Sequence, residues 1–187
     1  MRPQKIEEQD MLDGFAKLFR EKGYEGTSLA ELAEVTGLKK ASLYHRFPKG
    51  KEEMAQAVLL HVNNWVEENV FNTLTNQLLS PKERLKNGLQ SIKELYAEGN
   101  NPCLLQTFSM QSGVNLFNQL INDSMSHWVD AFTNIGLAFD LTLYVAKEKA
   151  IQVLIDIQGS LIVSRGFNNP NIFINTLNNI EVIYAKD

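Results

Sequence analysis

Apolar residues recur along this chain at steps of three and four, and strict alternation of apolar and polar positions is hard to find. That period puts one stripe of a helix against a core, so the chain reads as all-α. The first helix is predicted from about Gln4 to Lys22, with Leu12, Phe15, Leu18 and Phe19 on one stripe and Gly23 as its stop. Thr27 or Ser28 caps a short helix through Val35, and Glu31 stands where a capping box needs it. Gly37 interrupts, Lys39 to Arg46 restarts, and Pro48 and Gly50 end that piece. A long helix is predicted from Lys51 to about Thr73, its apolar face carrying Met54, Val58, Val62 and Trp65.

Ser80-Pro81-Lys82-Glu83 combines a Ser cap, a first-turn Pro and a third-position Glu, a strong start signal. The helix behind it aligns Leu85, Leu89, Ile92 and Tyr96, and Gly99-Asn100-Asn101-Pro102 ends it. Helices from Cys103 to Gln111 and from about Val114 to Phe139 follow. Leu143 to Arg165 is apolar on more than one side, so most of its surface needs cover. The last helix, Pro170 to Ala185, aligns Phe173, Leu177, Ile180 and Tyr184, widened by Ile172, Val182 and Ile183. Two such helices point to an intersubunit bundle, with a purely internal core as the alternative.

Two short helices joined at Gly37, the second rich in basic and small polar residues, form a helix-turn-helix. Ala33 is small where the helices cross, and Gly37 tolerates the left-handed backbone of a tight turn. Leu32, Leu38, Leu43 and Phe47 are read as inward-pointing. That leaves Lys39, Lys40, Ala41, Ser42, Tyr44 and His45 outward, on the part of a recognition helix that enters the major groove. Lysines can bond guanine edges or phosphates, and Ala41 and Ser42 keep the helix slim. Tyr44 and His45 can donate to phosphates, and the helix starts at Thr27/Ser28 and Lys51 offer amides for the same purpose.

Net charge is −4, which alone argues against nucleic acid. Its distribution changes that. Residues 1–51 hold 10 Lys/Arg against 8 Asp/Glu, net +2, and the remainder 8 against 14, net −6. Between Val35 and Lys51 stand five basic residues and no acid, the pattern of a confined phosphate-binding face; a solvated helix face is the alternative. Hydrophobic content of 44% and charged content of 21% are globular values. The single cysteine, Cys103, excludes an intramolecular disulfide and fits a cytoplasmic setting. MRPQKIEEQDML lacks the apolar run of a signal peptide, and no segment is apolar enough for a membrane span.

From about Ile6 to Met54 the chain resembles the tetracycline-repressor (TetR) family of bacterial transcription regulators. The likeness is carried by the first-helix phenylalanines, G-Y-E-G-T-S, A-E-V-T-G-L, A-S-L-Y-H-R-F and K-E-E. The link Phe47-Pro48-Lys49-Gly50-Lys51-Glu52 carries one residue more than usual. It is similar to the LmrA/YxaF-like branch of drug-efflux repressors, whose link reads F-P-x-G-K-E. Arg46 departs from the pattern, standing where many relatives carry an aromatic residue or a second histidine.

The resemblance implies a three-helix DNA-binding domain over residues 1–50 and a helical ligand-binding and dimerisation domain over 51–187. It implies a homodimer, joined through the last two helices, on a palindromic operator in double-stranded DNA. Phosphate anchoring then falls to Thr27, Ser28, Tyr44, His45 and Lys51, and base reading to Lys39, Lys40, Ala41 and Ser42. Recognition helices of such a dimer would lie about 34–36 Å apart. An effector coupled to DNA by about 1–3 kcal/mol would shift affinity about 5–150-fold, with the helix from Lys51 as lever.

Candidate pocket residues are Trp65, Phe108, Met110, Phe117, Met125, Trp128 and Phe132, with Asn115, Asn118, Gln111 or His127 as polar contacts; each also reads as plain core. No cofactor is implied. His45, His61 and His127 lack metal or catalytic spacing, and no phosphate loop or nucleophile elbow is present, so neither a catalytic nor a metal site is expected. Two competing readings are a protein-binding adaptor and a redox sensor built on Cys103.

Overall fold

A computed structural model describes residues 6–110 and 113–185 of the chain, and its described residues contain helices and no strand. The helices are α1 (Glu8–Gly26), α2 (Leu29–Thr36), α3 (Lys40–Arg46), α4 (Lys51–Val66) and α5 (Asn72–Thr75). After them come α6 (Pro81–Leu95), α7 (Leu104–Phe108), α8 (Gly113–Ala138), α9 (Leu143–Gly166) and α10 (Asn171–Ala185). The predicted helix starts and stops hold to within a few residues, because they rest on local signals. Gln4, the expected start of the first helix, and Gln111, the expected end of the short seventh, lie outside the described residues.

Contacts divide the chain into two compact units. The first takes residues up to Asn63 together with Leu104–Ile121; the second takes Asn64–Cys103 and the residues from Asn122 onward.

In the first unit α1 packs against α2 and α7. Met11, Phe15 and Phe19 of α1, Leu32 of α2, Leu43 of α3 and Met54 and Val58 of α4 are buried together in its core. Ser28 and Glu31 close the predicted capping box: the Ser28 amide donates to Glu31 Oε2 at 2.8 Å and the Glu31 amide to Ser28 Oγ at 3.3 Å. Gly37 adopts φ 65°, ψ 12°, the left-handed turn that sets α3 against α2. His61 Nε2 of α4 lies 2.9 Å from Asp13 Oδ1 of α1, so this histidine is paired with a carboxylate and held by helix packing.

The second unit gathers α5, α6, α9 and α10. Ser80 and Glu83 form a second capping box at the start of α6. Leu85, Leu89, Ile92 and Tyr96 are buried on one side, and Phe173, Leu177, Ile180 and Tyr184 on another, as the stripes predict. The Tyr184 hydroxyl donates to the Phe132 carbonyl at 3.3 Å, and burial pushes its pKa up.

The long helix from Lys51 differs from expectation. Regular α-helix ends at Val66, a π turn occupies Glu67–Phe71, and helix resumes to Thr75. Val66, Val70 and Leu74, all buried, are spaced by four. Since an α-helix turns in about 3.6 residues, such a row drifts about 40° per step, and the wider turn takes up the excess.

Candidate nucleic-acid interface

Only Leu43 of α3 is buried, at 0% exposure, and it anchors the helix to the core. Lys39, Lys40, Ala41, Ser42, Tyr44 and His45 are all exposed, so six of the nine expected contact residues share one outward surface. Spacing explains this: Leu43 and Phe47 lie one turn apart on the inner face, and the residues between them fall outward. Arg46 is exposed too, and its guanidinium lies 3.6 Å from the Met11 sulfur, which leans it back towards α1. Gly50, at φ 68°, turns the chain into α4, whose start is capped by the Lys49 amide donating to Glu53 at 2.8 Å.

The remaining three expected contacts sit at the corner between α1 and α2. Ser28 is exposed, but its hydroxyl serves the capping box and donates to Glu31 at 2.7 Å. The amides of Leu29 and Ala30, in the first turn of α2, have no intrahelical acceptor by the geometry of any helix start. Thr27 is 1% exposed, and its hydroxyl donates to the Gly23 carbonyl at 2.7 Å. Lys51 turns inward: its ammonium donates to the Tyr24 carbonyl at 2.8 Å and the Thr27 carbonyl at 3.1 Å, 4.3 Å from the Tyr24 ring centre.

Electrostatics reinforce the corner. The hydrogen bond from Lys22, followed by those from Ser28, lowers the Glu31 carboxyl to about 2, and the Lys22 ammonium rises through the same bond.

The expected pocket residues do not form one group. Phe108 and Phe117 are buried in the first unit, in an aromatic cluster with Phe19 and Tyr24. Met110 is 56% exposed. Trp65, Met125, Trp128 and Phe132 belong to the second unit, where Trp128 stacks on Phe132 at 6.3 Å and meets Phe71 edge-on at 5.3 Å. Of the polar candidates, Asn115, Asn118 and His127 are exposed.

The second unit holds at least two hollows among its described residues. One of about 240 Å³ runs between α6 (Lys86, Gln90, Lys93) and α10 (Ile174, Asn178, Glu181). Another, about 660 Å³, is bordered by Thr75, Arg84 and Asn134 among others. None of the seven expected pocket residues lines either hollow. Sequence reasoning had no signal for the α6–α10 groove, because it depends on which helices become neighbours.

Cys103 is buried, and the Tyr96 hydroxyl donates to its sulfur at 3.5 Å. Among the described residues no group of three His, Cys, Asp or Glu could hold a metal ion, and no helix is long and apolar enough to cross a membrane.

The geometry defines a helix-turn-helix protein with a basic second helix presented outward. Residues 11–58 match the family described as "Bacterial regulatory proteins, tetR family", the stretch that holds the helix-turn-helix. The HTH-type transcriptional regulators YxaF and LmrA of Bacillus subtilis are 37% identical over 59 residues and 31% identical over 66 residues. These matches cover 32% and 35% of this chain, and 31% and 35% of those proteins, about a third of their length. The repressor ComR of Escherichia coli is 47% identical over 58 residues, covering 31% of this chain and 27% of its own. Likeness of fold extends much further. A TetR regulator of Legionella pneumophila superposes with a TM-score of 0.82 over 98% of this chain and 99% of its own, at 19% identity.

Proposed function

We propose that this protein is a ligand-responsive transcriptional repressor that binds a palindromic operator as a homodimer in the cytoplasm. The observation that carries the reading is the exposed face of α3, with Lys39 and Lys40 leading it and Leu43 locking it from behind. In this reading Lys39, Lys40, Ala41 and Ser42 read base edges, and Tyr44, His45 and the corner around Ser28 hold phosphates. The DNA-binding module is taken as residues 1–50, with 51–187 serving the effector and the dimer.

Dimerisation through α9 and α10 is supported by their uncovered apolar side chains. Ile151, Ile155 and Ile162 of α9 and Val182 and Ile183 of α10 are exposed in the single chain. An apolar row of that length is normally covered in water, and a second copy offers a matching face.

The effector is proposed to be small and apolar, held around Trp65, Met125, Trp128 and Phe132, and to release the operator. A structural neighbour, the regulator FadR of Bacillus subtilis, was solved in complex with stearoyl-CoA, so an apolar effector is within the reach of this fold. The resemblance of the Phe47–Glu52 link to the drug-efflux branch favours efflux genes as targets.

The test is selection from sheared genomic DNA of the source organism at about 150 mM salt, where non-specific phosphate attraction is weakened. Recovery of one or a few short palindromes, lost on Lys39→Ala with Lys40→Ala, supports the repressor reading. Uniform retention, or none, overturns it.

A further inference from the structure

We infer that Lys51 is a positioning residue for DNA binding and not a phosphate ligand: it fixes the α1–α2 corner, and the corner meets the phosphate. The inference rests on the DNA-binding reading above. Its warrant is where the ammonium points. Two of its three N–H groups are committed to backbone carbonyls, Tyr24 O at 2.8 Å and Thr27 O at 3.1 Å. The charge also lies 4.3 Å from the centre of the Tyr24 ring, a favourable cation–π distance.

Those carbonyls explain the need. Gly23, at φ 74° and ψ 175°, breaks α1 and leaves a last loose turn, Tyr24–Gly26, before α2 begins at Leu29. Helix ends leave carbonyls without intrahelical partners, and the partial negative charge gathered there favours a cation. Thr27 closes on the Gly23 carbonyl through its hydroxyl at 2.7 Å, and Lys51 closes on the carbonyls of Tyr24 and Thr27, the first of which also accepts from the Thr27 amide at 3.4 Å. A side chain from the first turn of α4 therefore sets the angle at which the chain enters α2.

Tyr24 is gripped from the other side as well. Its ring lies 5.1 Å from Phe117 and 6.3 Å from Phe108. What faces outward at the corner is the start of α2, where the Leu29 and Ala30 amides can bond a phosphate oxygen. Those amides point correctly only while Tyr24 and Thr27 stay in place.

Salt dependence separates the two roles. A lysine that neutralises a phosphate contributes about 0.9 to the slope of log affinity against log salt. The experiment measures affinity for the selected duplex over a salt series, per active molecule from stoichiometric titration, for the full chain, Lys51→Met and Lys51→Arg. The expected result for Lys51→Met is affinity about tenfold weaker at an unchanged slope, the scale of one charge-assisted hydrogen bond. Lys51→Arg, whose guanidinium can span two carbonyls, recovers most of that loss and keeps the comparison informative if Lys51→Met folds poorly. A slope shallower by about 0.9 overturns the inference in favour of a phosphate contact. Unchanged affinity in both variants also overturns it, leaving a fold-only role. Failure of the unaltered chain to select any duplex overturns the DNA-binding reading as well.

Discussion

Phe117 of α8 meets Tyr24 of α1 edge to face, with ring centres 5.1 Å apart and planes at 79°. Phe108 and Phe19 complete the cluster, so residues far along the chain finish the core around the helix-turn-helix. Phe117→Ala is therefore expected to destabilise the chain by about 3–5 kcal/mol, as deletion of a fully buried aromatic does. Urea unfolding of the whole protein checks it. A variant of native stability that had lost only effector binding would restore Phe117 to the pocket.

Gly88 of α6 sets helix propensity against packing. Alanine is better than glycine in a helix interior by about 1 kcal/mol. A methyl group at position 88 would lie 2.6 Å from Leu74 Cδ2 and 2.9 Å from its Cγ, and Leu74 is wholly buried. Overpacking of this kind costs about 1–3 kcal/mol, so Gly88→Ala is expected to lower the melting temperature despite the better propensity. Adding Leu74→Val should return part of the loss.

Glu31 gives the corner a dependence on acid. Its carboxyl is lowered from 4.5 to about 2 by bonds from Lys22 and Ser28, so the folded chain favours the ionised form. A depressed folded pKa contributes stability above the unfolded value, which is lost as pH falls towards the folded one. Thermal midpoints should thus fall between about pH 5 and pH 2, and the fall should be shallower in Glu31→Gln. Glu83 is lowered in the same direction by the second capping box, so some dependence persists in that variant. Identical acid limbs in the two proteins would remove Glu31 from this account.

The α9 face predicts the oligomeric state. Ile155 is 56% exposed, and a Cβ added at Gly159, one turn on, would meet nothing within the chain. Glycine inside a helix costs about 1 kcal/mol relative to alanine, so within one copy Gly159→Leu should do no harm. Between two closely packed copies the same leucine would clash. Light scattering across a concentration series should show dimers for the native chain and monomers for Ile155→Glu and Gly159→Leu. Dimers that persist in both variants would move the interface elsewhere.

Much of this was legible in the sequence where the signal was local. Ser28 with Glu31 and Ser80 with Glu83 announce their caps within four residues, and Gly37 marks its turn by residue type alone. The outward face of α3 followed from Leu43 and Phe47 being one turn apart. Lys51 was harder: its spacing says only that a lysine opens a helix, while its partners, Tyr24 and Thr27, are set by how α4 packs on α1. The same holds for Phe108 and Phe117, whose aromatic character suits a pocket or a core equally until their neighbours are known. Thr27 resembles a phosphate ligand on paper and becomes a buried brace because Gly23 supplies a carbonyl beside it.

The π turn at Glu67–Phe71 works as a phase shifter in a continuous rod. Val66 lies before it, Leu74 lies after it, and both are buried because one surplus residue is absorbed between them. Removing a single residue from that turn would leave composition and helix content almost untouched. It would also remove the surplus, so the segment could close as regular α-helix at about 100° per residue, with Val66 and Leu74 seven apart and still on one side. The π turn therefore holds one residue of slack: a first deletion within it is absorbed, whereas a second would turn Leu74 by about 100° relative to Val66 and off its packing surface.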